Sequence, residues 1–205
     1  MQRIISEFRF IVVFTAAFTF SSFLFSFLSW GQTFPKSPGI PQLETDFTGL
    51  LVHMGEHAAL GALAALPTRR SAPILTVALC AMLIDVDHIG YFTGLPMEGR
   101  ANHSITFAII SPIAMSLLAR KGAFGRDFTP VIAGSLALAT VLAHLALDTM
   151  TNDPLIPIWS PFSEVYVAVP YTVGILLEII AIILVWAATR RRNYQGPWGF
   201  FSTPG

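Results

Sequence analysis

Acidic and imidazole side chains cluster near the end of one apolar segment, and their types suit metal binding. The segment runs from Ala72 to Phe92, with Asp85, Asp87 and His88 in its last part. Carboxylate oxygens and imidazole nitrogens are ligand atoms that zinc, manganese and iron accept. If the segment is a helix, Asp85 and His88 share a face, whereas Asp87 points away. The same residues could also mark a helix end at a membrane boundary, so both interpretations stay open at this point.

The composition indicates an integral membrane protein. Of the 205 residues, 54% are hydrophobic and 12% are charged, which is about half the charged share of a typical soluble protein. Twelve basic and twelve acidic side chains give a formal net charge of zero, so nothing points to a nucleic-acid partner. The single cysteine, Cys80, lies inside an apolar segment. It cannot form an internal disulfide, and we expect it to serve packing.

Six apolar segments predict an all-α fold, a single bundle of about six transmembrane helices. The segments span residues 10–30, 47–66, 72–92, 103–119, 129–150 and 171–189. Several approach the ~17–25 residues that a spanning helix needs, the fourth being the shortest. The first is longer than the ~7–15 apolar residues of a signal-peptide core. We therefore interpret it as an uncleaved helix, although Ser29-Trp30-Gly31 has a cleavage-like pattern.

Basic residues predict the orientation of these helices. With six spans, ten of the twelve Lys and Arg side chains fall on one side, and only Lys36 and Arg100 fall on the other. Cytoplasmic segments carry such an excess of basic residues. We therefore expect both termini of this membrane protein to lie in the cytoplasm.

This topology brings eight ionisable side chains to one layer near the extracytoplasmic surface. They come from four predicted helices and are His53, His57, Asp85, Asp87, His88, His103, His144 and Asp148. A charge at the bilayer centre costs roughly 2.5–3.5 kcal/mol on insertion scales, and a shared cation would offset such a cost. One histidine alone is more simply an interfacial hydrogen-bonding group, but eight groups in one layer favour a metal site. Glu178 lies deeper, where a structural hydrogen bond and a functional role are about equally expected.

Five short motifs, in this order, resemble the YdjM-like family of inner-membrane proteins, for which metal-dependent hydrolysis has been inferred. They are His57-Ala58-Ala59-Leu60-Gly61, Leu83-Ile84-Asp85-Val86-Asp87-His88, Asn102-His103-Ser104, His144-Leu145-Ala146-Leu147-Asp148 and Trp159-Ser160-Pro161-Phe162. Each is weak by itself, but five in order are fairly specific, and they cover about half of the chain. The resemblance implies a divalent metal, with zinc expected and manganese as the alternative, bound by His57, Asp85, Asp87, His88, His103, His144 and Asp148. On this basis we prefer His57 to His53 as the ligand from its helix.

The chain departs from the family pattern just before His103. Where the family has His-Arg-Gly-x-Thr-His-Ser, this sequence has Glu98-Gly99-Arg100-Ala101-Asn102-His103-Ser104. Glu98 therefore replaces a histidine, and Asn102 replaces a threonine. Ile84 stands where the family has proline before the first aspartate. Because a carboxylate can also coordinate a metal, we expect the metal site to persist, with a different preference among metal ions. Asp87 or Glu98 could act as a general base instead of a ligand.

The function predicted from the sequence is a membrane-embedded metal-dependent hydrolase that acts on a lipid or envelope phosphoester at the extracytoplasmic face. Seven candidate ligands exceed one tetrahedral set, which leaves room for two metals. The alternative is a non-catalytic metal-binding membrane protein or a transporter. A transporter should carry ionisable residues through both leaflets, and here the inner halves of the segments hold almost none. Membrane lipids are the expected surroundings and the source of the substrate.

Overall fold

The computed structural model describes a helical bundle over residues 2–29, 47–87, 100–125, 127–151, 155–163 and 165–190. Its α-helices in these ranges are α1 (Gln2–Leu28), α2 (Phe47–Ala65), α3 (Ser71–Leu83), α4 (Ile105–Arg120), α5 (Pro130–Met150) and α6 (Tyr171–Arg190). There are also three 3-10 turns among the described residues: Leu66–Thr68 follows α2, Ile84–Asp87 follows α3, and Ala101–His103 precedes α4. Between α5 and α6, the short strands β1 (Leu155–Pro157) and β2 (Tyr166–Ala168) pair antiparallel.

These helices confirm the all-α prediction and correct the predicted number of full spans. Within the described residues, four helical stretches are long and apolar enough to cross a membrane: Ile4–Leu28, Thr48–Thr68, Pro130–Met150 and Tyr171–Arg190. Helix α3 has 13 residues and α4 has 16, so they extend only about 20 and 24 Å at 1.5 Å per residue. Both are shorter than the ~30 Å hydrocarbon core. The predicted count of about six spans is therefore corrected to about four among the described residues.

Two predicted helix boundaries move, and both shifts affect candidate metal ligands. The helix predicted for residues 72–92 ends as an α-helix at Leu83, so Asp85 lies in a 3-10 turn and not on an α-helical face. The helix predicted for residues 103–119 begins at Ile105, because the Ser104 side chain accepts a hydrogen bond from Phe107 N (3.1 Å) and caps the helix. His103 therefore lies in the turn before α4. The predicted ligand His88 is outside the described residues.

Helix α5 is the centre of the bundle. It packs against α2, α3, α4 and α6, while α1 lies against α3 and α4. Small side chains allow the backbones to approach closely, and those buried on α5 include Ala133, Gly134, Ala137, Ala139, Ala143 and Ala146. Helix α1 is held by aromatic rings: Phe10 stacks on Phe128 at 3.5 Å between centroids, and Phe18 contacts Phe107 edge-on at 5.6 Å.

Basic residues and their partners gather at one end of the bundle. Arg70 Nη2 donates to Glu7 Oε1 at 2.9 Å, and the Arg70 guanidinium lies 5.1 Å from the centre of the Phe128 ring. Arg9 Nη2 donates to Gly122 O at 3.4 Å. These contacts bring together the start of α1, the turn between α2 and α3, and the turn between α4 and α5. The opposite end of the bundle holds the turn after α3 (Ile84–Asp87), the turn before α4 and the end of α5.

The approach of α2 to α3 at Gly61 yields a stability prediction. A Cβ added at Gly61 would lie 2.7 Å from Val77 O and 2.8 Å from Ala81 Cβ, whereas nothing lies within 4 Å of one added at Gly55. Gly61→Ala should destabilise the protein by about 1–3 kcal/mol because backbone must move. Gly55→Ala, which only improves helix propensity, should not. A thiol-reactive dye can follow unfolding on heating, since the free Cys80 is buried. Equal melting temperatures for the two variants would contradict the packing.

Candidate metal centre

Six ionisable side chains meet between α2, α3, α5 and the turn before α4. They fall into three overlapping trios whose potential ligand atoms lie within 4.8 Å of one another. The trios are His53, His57 and Asp85, then His57, His144 and Asp148, then Asp85, His103 and His144. Helix α2 supplies the first two histidines, and α5 supplies His144 and Asp148 one turn apart. Five of the side chains are 0–4% exposed, and His53 is 11% exposed.

The two carboxylates lie among the imidazoles at separations that suit a shared metal ion. His57 Nε2 lies 3.4 Å from Asp85 Oδ2 and 3.4 Å from Asp148 Oδ1. His144 Nε2 lies 3.4 Å from Asp85 Oδ1 and 3.6 Å from Asp148 Oδ2. A tetrahedral site with bonds of about 2.1 Å has edges of roughly 3.4 Å. Each pair of donor atoms is therefore close to the separation found between two ligands of one zinc-sized ion.

The hydrogen bond at the far side of His144 fixes its tautomer. His144 Nδ1 lies 2.9 Å from Ala81 O, a carbonyl in the last turn of α3, where intrahelical partners run out. A carbonyl only accepts, so Nδ1 carries the proton and Nε2 presents a lone pair when the ring is neutral. Nε2 is buried and has no hydrogen-bond partner among the described residues. The ring is thus oriented as metal-binding histidines are, with its second nitrogen donating to the protein.

The tautomer of His103 is fixed in the same way through Asn102. Asn102 Nδ2 donates to Ile84 O at 2.7 Å and to Ser22 Oγ at 3.1 Å. Because the Ile84 carbonyl can only accept, the amide nitrogen must face it, and the amide oxygen faces His103 Nδ1 at 2.9 Å. His103 Nδ1 therefore carries the proton. Its Nε2 presents a lone pair 3.2 Å from Asp85 Oδ1 and 3.9 Å from Asp148 Oδ2.

Two imidazole lone pairs thus face two buried carboxylates, which is unfavourable unless positive charge lies between them. A second proton on each ring would supply that charge. It would, however, crowd imidazolium ions together: the rings of His57 and His144 stack with centroids 3.7 Å apart, and those of His103 and His144 are 4.6 Å apart. Like charges at such separations disfavour ionisation. One divalent cation satisfies the lone pairs and the carboxylates together, so the donor set fits a metal.

Arg100 joins the centre from the turn before α4. Its backbone adopts the left-handed conformation (φ 45°), and its Nη2 donates to Asp148 Oδ2 at 3.2 Å. The side chain is buried, so this charge-assisted bond holds Asp148 in place against His144. From the sequence, Arg100 was predicted only to lie on the side opposite the excess of basic residues. With neutral histidines, the two described carboxylates and this guanidinium leave one net negative charge at the centre.

The structure brings together five of the predicted ligands and adds one. The five are His57, Asp85, His103, His144 and Asp148. Sequence reasoning set His53 aside in favour of His57, but His53 Nε2 lies 3.1 Å from His57 Nε2 and 4.0 Å from Asp148 Oδ1. The spacing of four residues between the two histidines was the signal that could have included both. The Asp87 side chain and residues His88 and Glu98 lie outside the described part of the chain.

Apolar spanning helices around a buried His/Asp cluster define the class: an integral membrane protein with a candidate metal centre. The chain matches the family described as YdjM inner membrane protein over residues 49–203, and it belongs to that family. The matched region contains all six side chains of the centre, while α1 precedes it. No curated protein and no solved structure matches the chain.

The Asn102 bridge yields a prediction about metal affinity. Asn102→Leu removes the acceptor for His103 Nδ1 and should lower the affinity for zinc about 10- to 100-fold, as loss of such an outer partner usually does. Ser22→Ala leaves the Asn102–Ile84 and Asn102–His103 bonds in place and should have a smaller effect. Titration of purified protein against a zinc-chelating indicator measures both. Unchanged affinity in a folded Asn102→Leu variant would show that the Asn102–His103 hydrogen bond does not support metal binding.

Proposed function

We propose that the protein is a metal-dependent hydrolase embedded in the inner membrane, which acts on a lipid or envelope phosphoester. The observation that carries this proposal is the pair of fixed tautomers, which turn the Nε2 lone pairs of His103 and His144 toward buried carboxylates. Four imidazole nitrogens and two carboxylates form a mixed nitrogen and oxygen donor set. Such a set suits zinc, with manganese as the alternative.

The surroundings of the centre suit phosphoester chemistry. A divalent ion held by these residues would lower the pKa of a coordinated water toward ~7 and would polarise a phosphoryl oxygen. The one net negative charge of the described centre would become one net positive charge with such an ion, and a positive centre would complement an anionic phosphate. The low-dielectric wall of buried helices strengthens that attraction. Hydrolysis adds the water oxygen to phosphorus and breaks the phosphorus–oxygen ester bond, and the departing alcohol takes up a proton.

The side chains of the centre have different proposed roles in metal binding and catalysis. Asp85 lies within 3.4 Å of three histidines and would hold the metal together with them. Asp148 is held by Arg100, whose guanidinium adds a positive charge next to the centre that would suit an anionic phosphate. Asp87 and Glu98 are the general-base candidates that the sequence predicted, and they stay predictions because their side chains are outside the described residues.

The distribution of charge supports a site that faces the extracytoplasmic side. Arg9 and Arg70 lie at the end of the bundle opposite the metal centre, where they bond to Gly122 and Glu7. Cytoplasmic ends of spanning helices carry the excess of Lys and Arg. With that end in the cytoplasm, the centre lies in the outer half of the membrane, and both termini are cytoplasmic.

The main alternative to a hydrolase is a protein that binds the metal only for structure, and experiment must distinguish the two. A transporter is disfavoured by the positions of the charged residues. Apart from the centre, its neighbour Glu56 and the basic end, Glu178 is the only Asp, Glu, His, Lys or Arg within the described α-helices. A transport path through both leaflets would be expected to carry more of them.

Turnover measurements test the proposal. Zinc-loaded protein in detergent should hydrolyse at least one of a panel of phosphatidic acid, phosphatidylethanolamine, phosphatidylglycerol and p-nitrophenyl phosphate. Asp85→Asn and His144→Ala should lose most bound zinc and lower the rate by about 100-fold or more, the low end of what removing acid–base or metal groups costs. Glu178→Gln, a matched change in a spanning helix away from the centre, should retain both. Stoichiometric zinc without turnover of any panel member would favour a structural metal.

A further inference from the structure

The Asp85 carboxylate of the centre places its two oxygens beside different histidines. Its Oδ1 lies 3.2 Å from His103 Nε2 and 3.4 Å from His144 Nε2. Its Oδ2 lies 3.4 Å from His57 Nε2. One oxygen of Asp85 is therefore next to the imidazoles that come from α5 and the turn before α4, and the other is next to an imidazole of α2.

Asp148 divides its oxygens in the same way. Its Oδ2 lies 3.6 Å from His144 Nε2 and 3.9 Å from His103 Nε2. Its Oδ1 lies 3.4 Å from His57 Nε2 and 4.0 Å from His53 Nε2. These distances separate the four histidines into two pairs, the α2 pair (His53 and His57) and the inner pair (His103 and His144). Each pair has one oxygen of Asp85 and one oxygen of Asp148 beside it.

The α2 pair is spaced as two ligands of one ion would be. Its two Nε2 atoms lie 3.1 Å apart, close to the edge of roughly 3.4 Å in a tetrahedral site. A hydrogen bond between two neutral rings would also give this distance, but it would leave Asp148 Oδ1 unsatisfied. That oxygen is buried and accepts no well-aligned hydrogen bond among the described residues. Because such an oxygen is costly to bury, a cation between it and the two nitrogens would stabilise the arrangement.

The number of donor atoms exceeds what one ion can use. The centre offers four imidazole nitrogens and the four oxygens of two carboxylates, whereas zinc in proteins usually takes about four ligands. When the donors are divided as the distances divide them, each pair of histidines forms a set of two nitrogens and two carboxylate oxygens. Each set is a complete tetrahedral complement.

We propose that the centre holds two divalent ions bridged by Asp85 and Asp148, with the second ion bound by His53 and His57. The inference rests on the proposed function and deepens it. Paired ions about 3.5–4 Å apart recur in phosphoester hydrolysis, where they stabilise the attacking and the departing oxygen together. His53, which the sequence set aside, becomes a ligand in this arrangement.

The two positions differ in the strength with which they hold an ion. The inner pair has fixed tautomers, so it binds the first ion with little rearrangement. The α2 pair is less enclosed, since the His53 side chain is 11% exposed. The second ion also adds positive charge to a centre that already holds one cation, and this repulsion weakens its binding. The α2 pair therefore fills after the inner pair.

Equilibrium dialysis against buffered free zinc, followed by metal analysis, tests the second ion. The wild-type protein should saturate at about two zinc ions per chain, and His53→Ala at about one. Alanine is the best helix former, so α2 should persist, and the dye reaction of the buried Cys80 checks the fold. Met54→Ala, a truncation at the neighbouring position of α2, should keep about two zinc ions.

A second variant tests the bridge. Asp148→Asn keeps the shape of the side chain but retains only one oxygen, which can serve only one of the two sets. It should therefore also saturate at about one zinc ion per chain. Glu178→Gln, the same acid-to-amide change away from the centre, should keep about two.

The zinc count decides the second ion without reference to turnover. Saturation of the wild-type protein at one zinc ion overturns the proposal, as does any count other than one in a folded His53→Ala variant. Unchanged saturation in Asp148→Asn removes the bridge and overturns it as well. Two zinc ions that depend on His53 and Asp148 support the proposal even without hydrolysis, in which case the proposed function fails alone. Hydrolysis by protein that saturates at one zinc ion leaves the hydrolase and removes the second ion.

Discussion

One constraint governs the candidate metal centre: two backbone carbonyls determine which nitrogen of two buried histidines carries the proton. Ala81 O accepts from His144 Nδ1 directly, and Ile84 O orients Asn102, whose amide oxygen accepts from His103 Nδ1. Neither carbonyl can change from acceptor to donor. The opposite nitrogens must therefore face the carboxylates of the centre with lone pairs, and only added positive charge makes that arrangement stable in a buried place.

The bundle is built so that these carbonyls are available. Helix α3 ends at Leu83, before its apolar segment ends, and its last turn consequently offers carbonyls to side chains of other elements. The cap at Ser104 delays the start of α4, which leaves Asn102 and His103 in a turn that lies against the end of α3. Small residues on α5 bring His144 within reach of α3. The shortness of α3 and α4 as spans is thus tied to the geometry of the site.

Much of the centre could be predicted from the sequence, because spacing along a helix determines which side chains share a face. His144 and Asp148 are four residues apart and converge as expected. The apolar pattern could not predict the end of α3, since hydrophobic residues continue beyond Leu83 without a glycine or proline before Gly90. Nor could it reveal Asn102, whose role depends on Ile84 and Ser22, residues 18 and 80 positions away. Arg100 was missed because its approach to Asp148 depends on a left-handed backbone conformation.

X-ray absorption spectroscopy of the purified, zinc-loaded protein tests the central claim most directly. It reports the atoms around the metal without need of a substrate. We expect zinc with nitrogen and oxygen ligands at about 2.0–2.2 Å and outer-shell scattering from several imidazole rings, which His144→Ala and His103→Ala each diminish. Zinc that is fully hydrated, is sulfur-ligated or keeps its imidazole scattering in both variants would contradict the account.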